Sequence, residues 1–371
     1  MRREELLSIY ERHYNPTLGR LFDVSECPVE YRAEGTTVFD EDGNSYLDFA
    51  AGYGVFSIGH VNAFVQAAVQ RQLATMPTAP PFSYNARAAE LMRKISHLLP
   101  SDLNRVFLAG SGSEAIEIAL RAVACASPGR SRLIAARNSY HGKTLGALSI
   151  MGQDHLRLPF APLWNEVQFV PFGDSDAMAR AVGEGAVAVF LEPILGGGYI
   201  TVPPDGYLTE VREVCDRTET PLVIDEVQTG FGRTGTMFAF QHDNIVPDIV
   251  ILSKGITGGH TPISAAVTND RLAQGCGNAR SPNASGAELL SSPLICAAGS
   301  AAIDFIVDQD LPARAKAMGG YLMERLRYIA KQYPSIIMDC PGRGLMAGLK
   351  LRNSILESAV WMQLRKRKEI S

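Results

Sequence analysis

The sequence lacks several features that mark membrane, secreted or nucleic-acid-binding proteins. No apolar run reaches the roughly 18 residues of a membrane span, and no apolar stretch follows the arginines at the start. We therefore expect neither a span nor a secretory signal. The 35 Lys and Arg are fewer than the 39 Asp and Glu, and the one basic cluster, residues 365–368, is expected to be a solvated tail. Nucleic acid and membrane are not expected partners.

The cysteines are few and scattered. There are six, and none forms a Cys-x-x-Cys pair. In a chain of this size that pattern is typical of reduced thiols in a cytoplasmic protein, and we expect no metal site. The 371 residues, 46% hydrophobic and 20% charged, have a globular composition and exceed the usual size of one core. We expect one large domain and a smaller one.

Short apolar strands alternate with helical segments from about residue 86 onwards. Two of the helical windows are residues 114–124 and 206–218. The predicted strands span residues 106–110, 133–136, 167–170, 187–192, 221–225, 249–252 and 263–267. Unbroken apolar strands that alternate with helices indicate an α/β fold, with a mostly parallel seven-stranded sheet between layers of helices.

The segments on either side of this region have other patterns. The first thirty residues look helical, residues 38–49 form a predicted hairpin, and residues 63–75 have the apolar periodicity of a helix. The sequence is helical again between 301 and 331, and a short apolar stretch follows at 344–351. We expect the part after residue 300 to form the smaller domain.

Two charged residues stand at the ends of apolar strands. Lys254 follows strand 249–252 just where glycines begin, and Asp225 ends strand 221–225. Burial at such a position lowers the pKa of a lysine and leaves a neutral amine that attacks carbonyls. A surface salt bridge accounts for either residue alone, but not for both ending apolar strands. An amine and a carboxylate so placed are the two fixed points that hold pyridoxal phosphate (PLP), through a Schiff base and through the pyridinium nitrogen.

Three further candidates, Ser111, Tyr140 and Glu192, lie at or just beyond predicted strand ends, where parallel sheets bind ligands. Ser111 lies in a glycine-serine turn that suits an anion but is also typical of a plain helix cap, and Ala115 disfavours a nucleotide fingerprint. Tyr140 suits stacking on a flat ring or simple core packing. Glu192 needs a partner or a raised pKa. His141 by itself is more typical of a hydrogen-bonded structural histidine than of a base.

These residues lie in segments that resemble the class III (ornithine/acetylornithine/putrescine-type) PLP-dependent aminotransferases of fold type I. The segments are residues 111–115, 140–144, 192–194, 225–235 and 253–255. The resemblance runs from about residue 30 to residue 350 and is most specific between Asp225 and Lys254.

The resemblance implies an architecture and a role for each candidate. Residues 1–60 contribute to the small domain, 61–300 form the large PLP-binding domain, and 301–371 form the rest of the small domain, in a homodimer with its active site at the subunit interface. Lys254 binds PLP and shuttles the proton, and Asp225 keeps the pyridine nitrogen protonated. The remaining cofactor-binding residues that it implies are Gly112 and Ser113 at the phosphate, Tyr140 and Val227 on the two ring faces, and Gln228 near the ring hydroxyl. The residues implied on the substrate side are Glu192 and Tyr53.

Three positions depart from the family pattern. Glu288 stands where members carry a phosphate-binding threonine, so either Ser285 or Ser291 takes that role or phosphate binding is weaker. His260 replaces the third glycine after the lysine. The chain ends at Ser371, so we expect the smaller domain to be incomplete and to lack the arginine that binds the carboxylate of the acceptor.

The favoured interpretation is a two-step transamination from an ω-amine, a diamine or a basic amino acid, such as putrescine or ornithine, to a 2-oxo acid. The substrate class rests on the resemblance alone. Two alternatives stay open: another PLP reaction on the same scaffold, such as that of an aminomutase or a decarboxylase, and a PLP-binding protein with little or no activity. Glu288 and the early chain end favour the second.

Overall fold

The computed structural model describes residues 3–25, 27–80, 83–276 and 292–366. Its helices are α1 (Arg3–His13), α2 (Pro16–Val24), α3 (Ala51–Gly54), α4 (Ala63–Thr75), α5 (Ala86–His97), α6 (Gly112–Ala126), α7 (Leu145–Ser149), α8 (Asp154–Arg157), α9 (Ser175–Gly183), α10 (Tyr207–Arg217), α11 (Asp270–Cys276), α12 (Pro293–Asp308), α13 (Leu311–Gln332) and α14 (Ser354–Lys366). Its strands are β1 (Glu30–Glu34), β2 (Thr37–Asp40), β3 (Ser45–Leu47), β4 (Arg105–Ala109), β5 (Leu133–Ala136), β6 (Val167–Val170), β7 (Ala188–Leu191), β8 (Leu222–Asp225), β9 (Ile249–Leu252), β10 (Ser264–Thr268), β11 (Ile337–Asp339), β12 (Gly342–Arg343), β13 (Met346–Ala347) and β14 (Lys350–Leu351).

A seven-stranded sheet in the order β4-β10-β9-β8-β7-β5-β6 forms the centre of the fold. The neighbours from β9 to β6 pair in parallel, and β10 runs antiparallel to both β9 and β4. All seven predicted strands are present, with ends that differ by at most one residue. The predicted α/β fold with a mostly parallel seven-stranded sheet is therefore confirmed.

The sheet is covered on both faces because successive strand residues point to opposite sides. In β5, Leu133 and Ala135 belong to one hydrophobic cluster and Ile134 and Ala136 to the other. Helix α6 packs its apolar face into the first cluster, whereas α5, α9 and α10 pack into the second. Unbroken apolar strands require such a cover, which explains why these segments show no polar alternation.

The predicted hairpin and the predicted helix at 63–75 are also present, as β2 with β3 and as α4. The N-terminal helices end at Val24, earlier than expected, and a further strand, β1, pairs with β2. Pro28, which has no N–H and cannot continue a helix, separates α2 from β1. Helices α12 and α13 and four short strands follow the sheet, and the division into domains stays a prediction. Within the described ranges no helix is both long and apolar enough to cross a membrane.

Candidate functional site

The carboxyl ends of the parallel strands meet at one edge of the sheet, and the candidate residues lie there. The adjacent strands β7, β8 and β9 lead to Glu192, Asp225 and Lys254, respectively. Tyr140 follows β5, which pairs with β7. Ser111 follows β4, and because β10 is antiparallel to both of its neighbours, the carboxyl end of β4 lies at the same edge.

Asp225 is a buried carboxylate held by two donors. The backbone N–H of Val227 donates to Oδ1 at 3.0 Å, and Nδ1 of His141 donates to Oδ2 at 2.8 Å. Because a carboxylate only accepts, this contact places a proton on Nδ1 of the histidine. Burial by itself lowers the pKa of His141, but the hydrogen bond and charge of Asp225, together with the charge of Glu192, raise that pKa above its usual value. The two donors fix the orientation of the Asp225 carboxyl group.

Glu192 is a second buried carboxyl group at this edge. It accepts the backbone N–H of Tyr140 at 2.8 Å and that of Gly196 at 3.3 Å. Burial raises the pKa of Glu192 to about 7; the charge of Asp225 acts in the same direction, and the charge of His141 and the two N–H groups oppose it. The group therefore titrates near neutral pH and gains negative charge when a cation approaches.

Lys254 begins a short 3₁₀ turn directly after β9 and has a positive φ of 46°. Positive φ is uncommon for a residue with a side chain, and strain of this kind is concentrated at functional sites. Burial lowers the pKa of Lys254, the charges of Asp225 and Glu192 oppose this, and the charge of Arg233 adds to it. The environment thus favours the neutral, nucleophilic amine more than water does.

The start of α6 offers a site for an anion. Ser111 caps the helix by accepting a backbone N–H of the first turn at 3.3 Å, and Gly112 is the first helical residue. The hydroxyl of Ser113 accepts the backbone N–H of Lys143 at 3.1 Å, which ties the loop after β5 to the helix. Gly142 packs so closely on Ser113 that a side chain there would overlap the hydroxyl. The free N–H groups and the dipole of a helix start attract phosphate.

Tyr140, Val227 and Gln228 come together around the same edge. A Cβ built on Gly112 would lie 3.3 Å from Cγ2 of Val227, so the valine packs on the start of α6. The side-chain amide of Gln228 lies against Gly196, and the Cβ of Tyr140 lies against the next glycine. Gly196 and Gly197 therefore leave room for these two side chains.

Tyr53 lies at the rim of this region and is 68% exposed in the single chain. The residues around it are left-handed, with φ of 56° at Gly52, 53° at Tyr53 and 103° at Gly54. A Cβ on Gly54 would lie 3.1 Å from the backbone oxygen of Gln228, and a Cβ on Gly255 would lie 3.5 Å from the oxygen of Gly54. The segment thus lies between Gln228 and the turn that carries the lysine.

The sequence alone does not reveal the contacts that two residues make at this edge. His141 is expected to be structural, but its ring nitrogen is hydrogen-bonded to Asp225, 84 positions away in the sequence. Arg233 donates to the hydroxyl of Ser57 at 3.1 Å, and its Nε is buried without a hydrogen-bond partner among the described residues. In the sequence, Arg233 stands out only as a charged residue inside a glycine-rich run, and this was the signal by which it could have been found.

His260 and Glu288 are the two substitutions that depart from the family pattern. His260 lies in the turn after the lysine, where its Nδ1 donates to the backbone oxygen of Thr257 at 3.2 Å. Glu288, Ser285 and Ser291 lie outside the described residues, so what was expected of the phosphate loop stays a prediction.

The chemistry of this site fits PLP. A lysine with a lowered pKa suits an aldehyde, a buried carboxylate suits a protonated ring nitrogen, and a helix start suits a phosphate. The oxygens of Asp225 each have one recorded donor and keep capacity for another, since a carboxylate has about four lone-pair positions.

Comparisons with known proteins agree with this chemistry. A family model described as aminotransferase class III matches residues 23–367. The chain is similar to the ornithine aminotransferase from Toxoplasma gondii ME49, with 27% identity and a TM-score of 0.89 over 100% of this chain and 87% of that one. An amine transaminase from an uncultivated Pseudomonas species, in its PLP-bound form, is 30% identical with a TM-score of 0.78 over 89% and 82%. An acetylornithine aminotransferase from Elizabethkingia anophelis is 25% identical with a TM-score of 0.83 over 99% and 90%.

Proposed function

The chain belongs to the class III aminotransferases, which are PLP enzymes, and we propose that it moves an amino group from an ω-amine, a diamine or a basic amino acid to a 2-oxo acid. The observation that carries the proposal is the meeting of Lys254, Asp225 and Glu192 at the ends of three adjacent strands. An amine donor and an oxo-acid acceptor are the substrates that the family implies.

We assign two roles to Lys254: it binds the cofactor covalently, and it transfers the proton of the substrate carbon. When bound, PLP supplies a conjugated ring that withdraws electrons from the substrate carbon. Nζ of Lys254 is placed to attach the cofactor covalently, because burial lowers its pKa and increases the fraction of neutral amine. With PLP and substrate bound, Nζ of Lys254 would take the proton that leaves the substrate carbon and would return it later in the cycle.

Asp225 is assigned to holding a proton on the ring nitrogen of the cofactor. Its carboxyl group is held in place by the N–H of Val227 and by His141. His141 is a positioning residue, because it acts on the cofactor only through the orientation and charge of Asp225.

The remaining cofactor contacts follow from the packing at the sheet edge. We assign the phosphate to the start of α6, at Gly112 and Ser113, where backbone N–H groups are free. Tyr140 and Val227 are assigned to the two faces of the ring, and Gln228 to the ring hydroxyl. Their convergence around Asp225 and the glycines at 196–198 supports these assignments.

Glu192 and Tyr53 are assigned to the substrate side. A donor with a second ammonium group brings a positive charge, and Glu192 responds to it because its pKa lies at about 7. The similar structures are named for ornithine and for amines, which supports a donor whose reacting amine is not next to a carboxylate.

We propose that the protein works as a homodimer with the site at the subunit interface. Large hydrophobic side chains near the site are exposed in the single chain, namely Phe49 at 68%, Tyr53 at 68% and Leu145 at 65%. Exposed apolar groups of this size are typical of a surface that another molecule covers.

The test of the function begins with Lys254→Ala. After incubation with PLP and borohydride, mass spectrometry of peptides should find PLP fixed on Lys254 in the wild type and on no peptide in the variant. Lys331→Ala, a change at an exposed lysine of α13, should behave as the wild type. PLP fixed on another lysine, or on none, would contradict the assignment.

The reaction class is tested with the wild type, PLP, 2-oxoglutarate and either putrescine or butylamine. Formation of one glutamate per amine consumed identifies transamination. With ornithine in place of the amine, release of carbon dioxide, or isomerisation without an acceptor, identifies the alternatives. Putrescine should have a lower KM than butylamine, since only putrescine carries a second ammonium for Glu192.

A further inference from the structure

A cavity of about 430 Å³, separate from the site described above, lies behind the turn that carries Lys254. Its size lies within the roughly 300–1,000 Å³ of small-molecule sites. The lining residues that matter here are Ser57, Ile58, Phe231, Arg233, Arg314 and Met318. None of the residues assigned above to PLP or to the substrate lines it.

The charge inside this cavity is not balanced. Two arginines and no acidic residue line it within the part of the chain that the structure describes. The guanidinium of Arg233 has five N–H donors, one of which binds the hydroxyl of Ser57, while Nε is buried without a recorded partner in the described residues. The acidic group that acts on it, Asp48, is already bonded to His60 at 2.8 Å and to the N–H of Ala51 at 2.7 Å. Among the described residues Asp48 forms no ion pair with Arg233, so the partly buried guanidinium keeps N–H donors for an anion.

We propose that the cavity binds an organic carboxylate, a small acid with an apolar body, whose carboxylate pairs with the guanidinium of Arg233. The planar fork of an arginine matches a carboxylate with two parallel hydrogen bonds. The walls supply the apolar part of the site through Ile58, Phe231 and Met318. Arg314, exposed on α13, adds a second positive charge.

The test uses the PLP-loaded protein with ¹³C-methyl-labelled methionine. Met318 lines the cavity, and its signal is assigned by Met318→Leu. Hexanoate should shift this signal. Hexanamide has the same shape without the charge, and inorganic phosphate has the charge without the apolar body, so each should bind at least about tenfold more weakly.

Variants of the two arginines show which guanidinium binds the carboxylate. Arg233→Gln should weaken hexanoate binding at least about tenfold, Arg233→Lys less, and Arg314→Gln less than Arg233→Gln. Arg325→Gln, an exposed change on the same helix, should have no effect. If Arg233→Gln does not fold, the comparison of hexanoate with hexanamide and the exposed Arg314 variant decide.

Three results would overturn the proposal: a Met318 signal that hexanoate leaves unmoved, equal affinity for hexanamide, or unchanged affinity in a folded Arg233→Gln protein. The Met318 signal measures binding in the cavity itself. Failure of PLP attachment at Lys254 would therefore refute the proposed function and leave the binding result unchanged. Failure of hexanoate to bind would refute the cavity proposal and leave the proposed function unchanged.

Discussion

Replacing Glu192 by Gln should remove a large pH dependence from the stability of the PLP-free protein. Burial raises the pKa of this carboxyl from 4.5 to about 7. Between these two values the folded chain binds more protons than the unfolded chain, so the free energy of unfolding falls as the pH rises. The contribution to stability is complete below pH 4.5 and is lost as the pH passes about 7.

The size of the effect follows from the difference between the two pKa values. Each pKa unit corresponds to about 1.4 kcal/mol, so the whole change is about 3 kcal/mol, of which about 2.5 kcal/mol falls between about pH 5 and pH 8. Glutamine has the shape of the protonated glutamate and does not titrate. Its amide nitrogen cannot accept the second of the two backbone N–H groups, which subtracts an amount that does not depend on pH. We therefore expect the free energy of unfolding of Glu192→Gln, relative to the wild type, to increase by about 2.5 kcal/mol from pH 5 to pH 8.

The measurement is urea unfolding of the PLP-free proteins at several pH values from 5 to 8, followed by circular dichroism. Glu226, whose pKa burial also raises to about 7, is present in both proteins and cancels in the difference. Glu324→Gln, an exposed change on α13, should follow the wild type at every pH. If the free energies of unfolding of the wild type and Glu192→Gln change in parallel from pH 5 to pH 8, the carboxyl group of Glu192 is not buried as the structure places it.

Two glycine substitutions, each with a matched control, test the packing of the site. Gly142→Ala is expected to lower the free energy of unfolding by about 2–3 kcal/mol, because φ is 119° and a methyl group would overlap the Ser113 hydroxyl. Gly129→Ala, with φ of 80° and open space around it, should cost only about 1 kcal/mol in the same urea assay. Gly196→Ala is expected to lower kcat at least about tenfold with little change in stability, because the methyl displaces the flexible ends of two side chains beside the site. A Cβ on Gly198 would meet open space, so Gly198→Ala should keep its kcat. Equal losses of kcat in Gly196→Ala and Gly198→Ala would contradict this account.

The sheet and the two principal site residues were predictable because local sequence carries their signal. A strand covered on both faces must be apolar throughout, so β5, β7, β8 and β9 stand out as short runs of aliphatic residues. A charged residue at the end of such a run is costly unless it has a purpose, which singled out Asp225 and Lys254. The carboxyl ends of parallel strands share an edge, so the meeting of these residues followed from the predicted topology alone.

Contacts between distant segments were not predictable in this way. The antiparallel direction of β10 depends on the loop that leads into it, and its apolar sequence suits either direction. The bond between His141 and Asp225 depends on the order of β5, β7 and β8 in the sheet, which a single sequence does not state. The cavity at Arg233 arises where five separate segments of the chain approach one another and leave a gap.

The sequence by itself determined the α/β class, the strands and the lysine–aspartate pair, since each follows from the burial of short consecutive runs of residues. Only the tertiary structure decided how much charge each group carries and where space remains. The pKa of Glu192, the proton on His141 and the surroundings of the Arg233 guanidinium all depend on which groups from remote parts of the chain lie within a few ångströms. Burial and charge act through distance in space, and distance in space is set by the packing of the whole chain.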